Sequence, residues 1–389
     1  MHKTNKFLQD FTFSNIINFI DFSSGKIFKI KTDNYDNNYI YNESNEFKIT
    51  KIKKEIKINF SSFEILDELG KGSFGNVFLV KPKFVTKENN IYYAMKVINK
   101  KNLIKNKQLI YAVTEFKILK MVNSPFISKL QYAFQTEENL YLILDFCAGG
   151  DLSFYINYKN ISVQSAKIII AELILAIEHL HKNNIIYRDL KPENILIDEN
   201  NHIKLTDFGL SKTNIFMNNS TKSFCGSPAY LSPEMLNKNG VSKSADIYGI
   251  GVVLHEILFK ITPFYDNDIQ KLYKNIKYNK LYIPNYYNDK DLYDLLKQLL
   301  NKDPENRITI DEIKQHKFFE DIDWEKLEKK EINNPEDFIS FKKQRNKDNE
   351  IKKFTKNNLI KEFKDKDYDF KKNENNILKN FYYIRDSNL

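Results

Sequence analysis

The sequence predicts an α+β chain of two lobes, a small strand-rich one followed by a larger helical one. Three observations carry this. Between Phe63 and Lys100 the segments FEILDELGKGSFGNVFLV and IYYAMKVINK are strand-like. From about residue 161 to 320 the apolar residues recur with helical spacing instead. Charge is even over the whole of that interval. Residues 1–60 hold 10 Lys/Arg against 7 Asp/Glu and residues 341–389 hold 14 against 8; of the chain's 60 basic and 51 acidic residues, 36 of each sign remain for 61–340. The net charge of +9 therefore lies in the flanks, which argues against a uniformly basic nucleic-acid-binding domain. A 42% hydrophobic content over 389 residues is ample for a sizeable core.

The two cysteines, Cys147 and Cys225, exclude a disulfide framework and a cysteine-based zinc site, and fit a reducing compartment. No apolar run approaches the ~20 residues of a membrane span. The start, MHKTNKFLQDFTF, lacks an apolar stretch followed by a small-residue cleavage site, so a cytoplasmic protein with access to the nucleus is expected. No period of 20–50 residues repeats, which argues against a solenoid.

Along the chain, residues 27–60 alternate apolar and polar in KIFKIKT, YIYNE and FKITKIKKEIKINF, and read as short strands broken by an Asn/Asp-rich turn. Next come the two strand-like segments, then helical spacing in LIYAVTEFKILKMV, a buried-strand pattern in LYLILDFC, and helices in SAKIIIAELILAIEHLHKN and DLYDLLKQLLNKD. Residues 341–389 are polar and Lys/Asn-rich with isolated aromatics, a tail that must borrow another surface to be ordered.

Gly70-Lys71-Gly72-Ser73-Phe74-Gly75-Asn76-Val77 lies between two predicted strands. Glycines let a backbone close over phosphates and present N–H groups, though a plain hairpin fits as well. A dinucleotide-binding turn would open onto a helix, and here the strand VFLV follows. Lys96 on the next strand reads either as a solvated lysine or as one reaching phosphates, with Glu115 on the following helix as its counter-charge. The run Tyr187-Arg188-Asp189-Leu190-Lys191-Pro192-Glu193-Asn194, followed by Asp207-Phe208-Gly209, decides between these readings. Phosphoryl transfer needs a carboxylate to orient the attacking hydroxyl, a cation against developing charge, and oxygen ligands for Mg²⁺. Asp189, Lys191, Asn194 and Asp207 supply these groups in that order after the glycine loop and the lysine.

From about Phe63 to Phe319 the chain thereby resembles the eukaryotic protein kinase family. The resemblance implies a bilobal kinase fold, ATP and Mg²⁺ as cofactors, and named roles. Leu69 through Val77 would cover ATP, Lys96 would hold its α/β-phosphates while paired with Glu115, and backbone groups of Asp145 and Cys147 would meet adenine. Asp189 would be the catalytic base, with Lys191 beside the γ-phosphate and Asn194 and Asp207 on the metal. Leu119, Leu130, Tyr187 and Phe208 would stack as a spine. Ser232-Pro233-Glu234 stands where the family has Ala-Pro-Glu, with Glu234 expected to pair with Arg307. Asp246 would brace the catalytic loop, and Tyr248 replaces the usual Trp. Lys191, two places after the base, is the serine/threonine pattern.

A narrower resemblance, to the AGC group, rests on Tyr187 before Arg-Asp, the run DFGLSK, the segment Ser223-Phe-Cys225-Gly-Ser-Pro-Ala-Tyr230, and Asp323-Trp324 before a polar tail. It implies a catalytic domain over 63–319, an extension of unknown role over 1–62, and a tail over 320–389 that wraps the lobes. Ser223 would be an activating phosphosite gripped by Arg188 and Lys212, phosphorylated by an upstream kinase or by the chain itself. Asp151, Glu193 and Glu256 would select basic residues before the target Ser or Thr of protein substrates. Leu378 to Ile384 is similar to the terminal hydrophobic motif, with Tyr382 where a phosphorylatable Ser/Thr or an acidic residue is expected; a frayed apolar end is the other reading. A monomer is expected. The basic flanks offer electrostatic attraction to anionic lipid, or are simply solvated. A catalytically inactive scaffold of the same fold is the alternative.

Overall fold

In the computed structural model, β1 (Ile16–Asp21) and β2 (Lys26–Lys31) form an antiparallel pair, with Ile16 opposite Lys31. The structure describes residues 16–21, 26–31, 58–72, 75–84, 91–213, 227–237, 240–284, 289–348 and 381–385. The chain divides into two units, 1–58 with 384–389 and 59–383. The hairpin is in the first. Of the strands expected over 27–60, β2 is the one the described residues contain; its partner β1, IINFID, does not alternate strictly and escapes a period-2 reading.

The second unit opens with β3 (Phe63–Gly72), β4 (Gly75–Pro82) and β5 (Tyr93–Asn99). Two helices follow, α1 (Lys100–Lys105) and α2 (Leu109–Met121), then β6 (Leu130–Gln135) and β7 (Asn139–Asp145). These strands form one antiparallel sheet in the order β6-β7-β5-β4-β3, with Tyr383 in a short strand along the outer edge of β6. All six residues of β6 and six of seven in β7 are buried, which is why neither sequence alternates strictly; β6 buries Gln131 and Gln135 among its apolar residues. The glycine motif sits at the β3–β4 turn, where Gly72 pairs with Gly75, so a strand follows it as the sequence requires.

The larger lobe begins with β8 (Gly150–Asp151), α3 (Leu152–Tyr158) and α4 (Val163–Lys182). Short strands β9 (Ile185–Ile186), β10 (Ile195–Ile197), β11 (Ile203–Leu205) and β12 (Lys212–Thr213) carry the loops of the site. In this group β10 lies between β8 and β11, and β9 pairs with β12. Then come α5 (Pro233–Asn237), α6 (Ser244–Phe259), α7 (Ile269–Tyr278), α8 (Lys290–Leu299), α9 (Ile310–Gln315), α10 (Trp324–Glu328) and α11 (Phe338–Asp348). The Ser162, Asp268, Asp289 and Thr309 side chains cap α4, α7, α8 and α9. Nearly all of α6 is buried, and a Cβ on Gly251 would stand 2.8 Å from Leu299 Cβ, so this helix meets the end of α8 through a backbone that only glycine allows.

Just before residue 341, where the polar tail is expected to begin, the Phe338 ring of α11 is fully buried, 4.8 Å from that of Tyr155 on α3. The wrapping of lobes expected of this tail falls largely on residues 349–380, outside the described residues. No helix among the described residues is long and apolar enough to cross a membrane.

Candidate active site

Two residues of the central loops hold left-handed backbone that costs a non-glycine residue of order 1–3 kcal/mol, Arg188 (φ 70°) and Asp207 (φ 58°). The first is over-determined by Asp246 at the start of α6. The buried Asp246 carboxylate accepts from the backbone N–H groups of Tyr187 (2.9 Å) and Arg188 (2.8 Å), and its Oδ2 lies 2.8 Å from His181 Nε2 at the end of α4. The sequence points to Asp246 as the brace; His181 carries no motif that would reveal its part.

Held in this way, Asp189 is buried with its carboxylate directed by two neighbours. Asn194 Nδ2 donates to its Oδ2 (2.9 Å) and its backbone oxygen (2.8 Å), while Lys191 Nζ stands 3.0 Å from Oδ2. The lysine also reaches Ser227 Oγ at 3.3 Å, a partner the sequence did not announce.

A second charged group lies beside the first. Lys96 Nζ, on β5, is 2.7 Å from Glu115 Oε1 on α2 and 3.4 Å from Asp207 Oδ1. Burial alone would strip the lysine of its charge, but Asp207 and Glu115 outweigh it and hold the ammonium above the ordinary lysine range. The two groups are joined through backbone: Thr206 N–H donates to the Asn194 oxygen at 3.0 Å, and the Tyr187 and Phe208 rings meet edge-on at 5.4 Å. Leu119 and Leu130, the other expected spine members, are buried in the same core.

The site is thus a cation on a strand, paired with a helix carboxylate and facing a second carboxylate, next to a loop aspartate with its own lysine and amide. Comparison with known proteins accounts for the arrangement. The model of the protein kinase domain matches residues 63–319. The chain belongs to the eukaryotic protein kinase family. Its relatives place it in the AGC group. It is 42% identical over 286 residues to the RAC family serine/threonine-protein kinase homolog of Dictyostelium discoideum, covering 73% of this chain and 63% of that one. It is 42% identical over 282 residues to the serine/threonine-protein kinase sck2 of Schizosaccharomyces pombe, covering 70% and 43%. With the human ribosomal protein S6 kinase alpha-3 the figures are 46% over 285 residues, 72% and 38%. This kinase chain therefore spans between two-fifths and two-thirds of the length of those relatives.

In the kinase, the glycine turn carries Leu69, exposed at the end of β3, with Gly70, Lys71 and Gly72, and then Gly75, Asn76 and Val77 on β4. Ser73 and Phe74 lie outside the described residues. At the link between lobes, Asp145 turns its carboxylate to Gln131 Nε2 (2.6 Å) and Lys204 Nζ (3.5 Å), a brace that the sequence did not reveal. Burial pushes the Cys147 thiol up to about 12, so the sulfur stays neutral there.

Of the acidic residues expected to meet substrate, Asp151, Glu193 and Glu256 are all among the described residues. The Asp151 carboxylate caps α3 by accepting from Phe154 N–H at 3.1 Å. Glu193 is exposed. Glu256, on α6, accepts from the Tyr230 hydroxyl at 2.6 Å. Its pKa is raised, by burial first and by the charge of Glu193 against the opposing Tyr230 bond, so Glu193 and Glu256 are close enough to feel each other. Glu234 and Arg307 form a buried two-point pair at 2.7 and 3.0 Å. The two motif departures beside it leave buried hydroxyls without a hydrogen-bond partner among the described residues, Ser232 Oγ and Tyr248 Oη. Arg307 lies 5.1 Å over the Tyr248 ring.

For regulation, the Arg188 Nε–H donates to the Leu210 oxygen at 2.7 Å, and Lys212 pairs with Ile186 in the β9–β12 ladder. Ser223 and Cys225 lie outside the described residues, as does Leu378. Phe381 is buried with its ring 4.4 Å from that of Phe116 on α2, and Lys120 Nζ lies 5.8 Å over the Tyr383 ring.

Proposed function

We propose that this domain transfers the γ-phosphoryl group of ATP to serine and threonine hydroxyls of protein substrates. One observation carries the reading: the Asp189–Lys191–Asn194 cluster and the Lys96–Glu115–Asp207 cluster are joined by the backbone hydrogen bond from Thr206 to Asn194. Asp189 receives the substrate hydroxyl and takes its proton as the oxygen attacks. Lys191, 3.0 Å from that carboxylate, offsets the charge that develops on the transferred group. Lys96 holds the α/β-phosphates under the turn formed by Leu69 to Val77, and backbone of Asp145 and Cys147 meets the adenine.

A magnesium ion fits the donor set. Among the described residues no three acidic, His or Cys side chains converge. Mg²⁺ asks for one or two protein oxygens and takes the remainder from phosphates and water. Asn194 and Asp207 would hold it, and when bound it neutralises phosphate charge. The Asn194 amide is oriented for this by its two hydrogen bonds to Asp189.

Asp151, Glu193 and Glu256 support a preference for basic side chains three and two residues before the target. Ser223 is the activating phosphosite, with Arg188 and Lys212 as its grips and an upstream kinase or the chain itself as its source. Asp189→Asn tests the transfer: turnover should fall by ~10²–10⁴-fold while nucleotide affinity is kept. Equal turnover, or loss of nucleotide binding with it, would refute the roles. Ser223→Ala should lower the activity of a phosphorylated preparation strongly, read by peptide assay before and after phosphatase treatment.

A further inference from the structure

One charge from the large lobe reaches the linker between lobes. Asp145, the last residue of β7, is clasped by the chain entering β6. Its N–H donates to the Lys129 oxygen at 3.1 Å, and the Lys129 N–H donates in return to Oδ2 at 3.2 Å. Gln131 Nε2, on β6, donates to Oδ1 at 2.6 Å. These three contacts belong to the small lobe. The next one does not. Lys204 Nζ, on β11, stands 3.5 Å from Oδ2, and this buried lysine has Asp145 as its one ion-pair partner among the described residues.

The hairpin that carries Lys204 also holds the far end of the linker. The Gly149 N–H donates to the oxygen of Ile197 on β10 at 2.9 Å, and Leu196 of that strand stands opposite Lys204 in the β10–β11 ladder. The linker from Asp145 to Gly149 is thus tied to β10–β11 at both ends, by a peptide hydrogen bond at one and by a side-chain charge at the other. A buried ammonium deprived of its carboxylate is strongly unfavourable, so the charge draws residue 145 toward β11.

We infer that Lys204 is a positioning residue for nucleotide: through the Asp145 carboxylate it fixes, relative to the β10–β11 hairpin, the backbone that meets adenine. It thereby sets nucleotide affinity rather than the rate of transfer. This rests on the reading of the Asp145 backbone as an adenine contact. Lys204 also lies three positions before Asp207, so a general disturbance of this stretch would be felt at the phosphates instead.

Adenosine and inorganic tripolyphosphate, each measured as a competitor of ATP, separate these two effects. Lys204→Met keeps the apolar stem; it should weaken adenosine and ADP together by about three- to tenfold and raise the KM for ATP by a like factor, with kcat within about twofold of wild type. Inhibition by tripolyphosphate should not change, and Lys204→Arg should restore the adenosine affinity. Asp145→Asn leaves the backbone in place and should repeat the loss, with Lys204→Met adding nothing in that background; it carries the test alone should Lys204→Met melt early. Inosine checks the underlying reading, because its ring has a carbonyl where adenosine has an amino group, and backbone groups matched to adenine should reject it. Equal affinity of the wild type for inosine and adenosine would overturn that reading, and the inference with it. A wild-type preference for adenosine, with adenosine affinity unmoved in the variants or with tripolyphosphate and kcat falling alongside it, would overturn the inference alone.

Discussion

Lys96 stands between two carboxylates in a place where water cannot screen them. Glu115 is 1% exposed and has the lysine 2.7 Å away, so replacing the ammonium with a methyl leaves an uncompensated acid in the interior. Breaking a buried pair by removing one partner costs ~3–5 kcal/mol, unless the remaining group takes up a proton. Burial already raises the Glu115 pKa above its ordinary value, and in Lys96→Met the lowering influence of the lysine is gone. The folded variant then holds a proton that the unfolded chain has released, so its stability falls as pH rises through the window above 4.5. Lys96→Met should therefore lose more stability against wild type at pH 8 than at pH 5, and turn over at least ~10²-fold more slowly at both. Paired melting curves at the two pH values check the first statement. A loss of equal size at both would show that Glu115 does not carry the charge.

At the scale of elements, α7 ends against a lysine from a different part of the chain. Lys302 Nζ donates to the oxygens of Asn275 (3.3 Å), which also accepts from Asn279 N–H at 3.0 Å, and of Ile276 in the last turn of the helix, and lies 3.2 Å from the centre of the Phe264 ring. Burial, helped by Arg307, lowers its pKa from 10.5 to about 7, although the carbonyls and the ring both favour the charged form. Between these two values the unfolded chain holds a proton that the folded chain has given up, so stability contributed by this group rises with pH across the window. Wild type should gain more in melting temperature between pH 7 and pH 9.5 than Lys302→Met does, the difference cancelling groups common to both. Parallel curves would place the Lys302 pKa in the ordinary range. Elements were readable in the sequence to unequal degrees, and for physical reasons. The 20-residue α4 shows its period openly, and the glycine turn announced a strand after it. Asp189, Lys191, Asn194 and Asp207 could be picked out because phosphoryl chemistry needs those groups at that spacing. The partners that orient them, His181 and Ser227, carry ordinary identities and come close only through the fold. The same holds for the Asp145 carboxylate and for α11, whose polar composition conceals one buried aromatic.

That aromatic ties the tail to the rest of the second unit. Before α11 the chain crosses α3 and the start of α4 through polar contacts: Glu336 accepts from Ser162 N–H at 2.7 Å and pairs with Lys159 at 3.0 Å, and Asn334 accepts from Ser165 Oγ at 2.6 Å. Such contacts choose a path but contribute little each, because water competes for the same groups. Phe338 is different. Its ring is buried completely in the core that also holds Tyr155, Ile197 and Ile203, while Phe341, one turn on, is only half-buried. Removing the first ring leaves a cavity in a region clamped by hydrogen bonds from Tyr155 and Asn201, where collapse is difficult. Phe338→Ala should therefore destabilise the unit by ~3–5 kcal/mol, and Phe341→Ala by under ~2 kcal/mol. Chemical denaturation of the two variants measures the difference directly. Single transitions in both would show that the tail segment unfolds with the catalytic domain. An early, separate transition in Phe338→Ala, with the main one unmoved, would show instead that the segment is an independent strap.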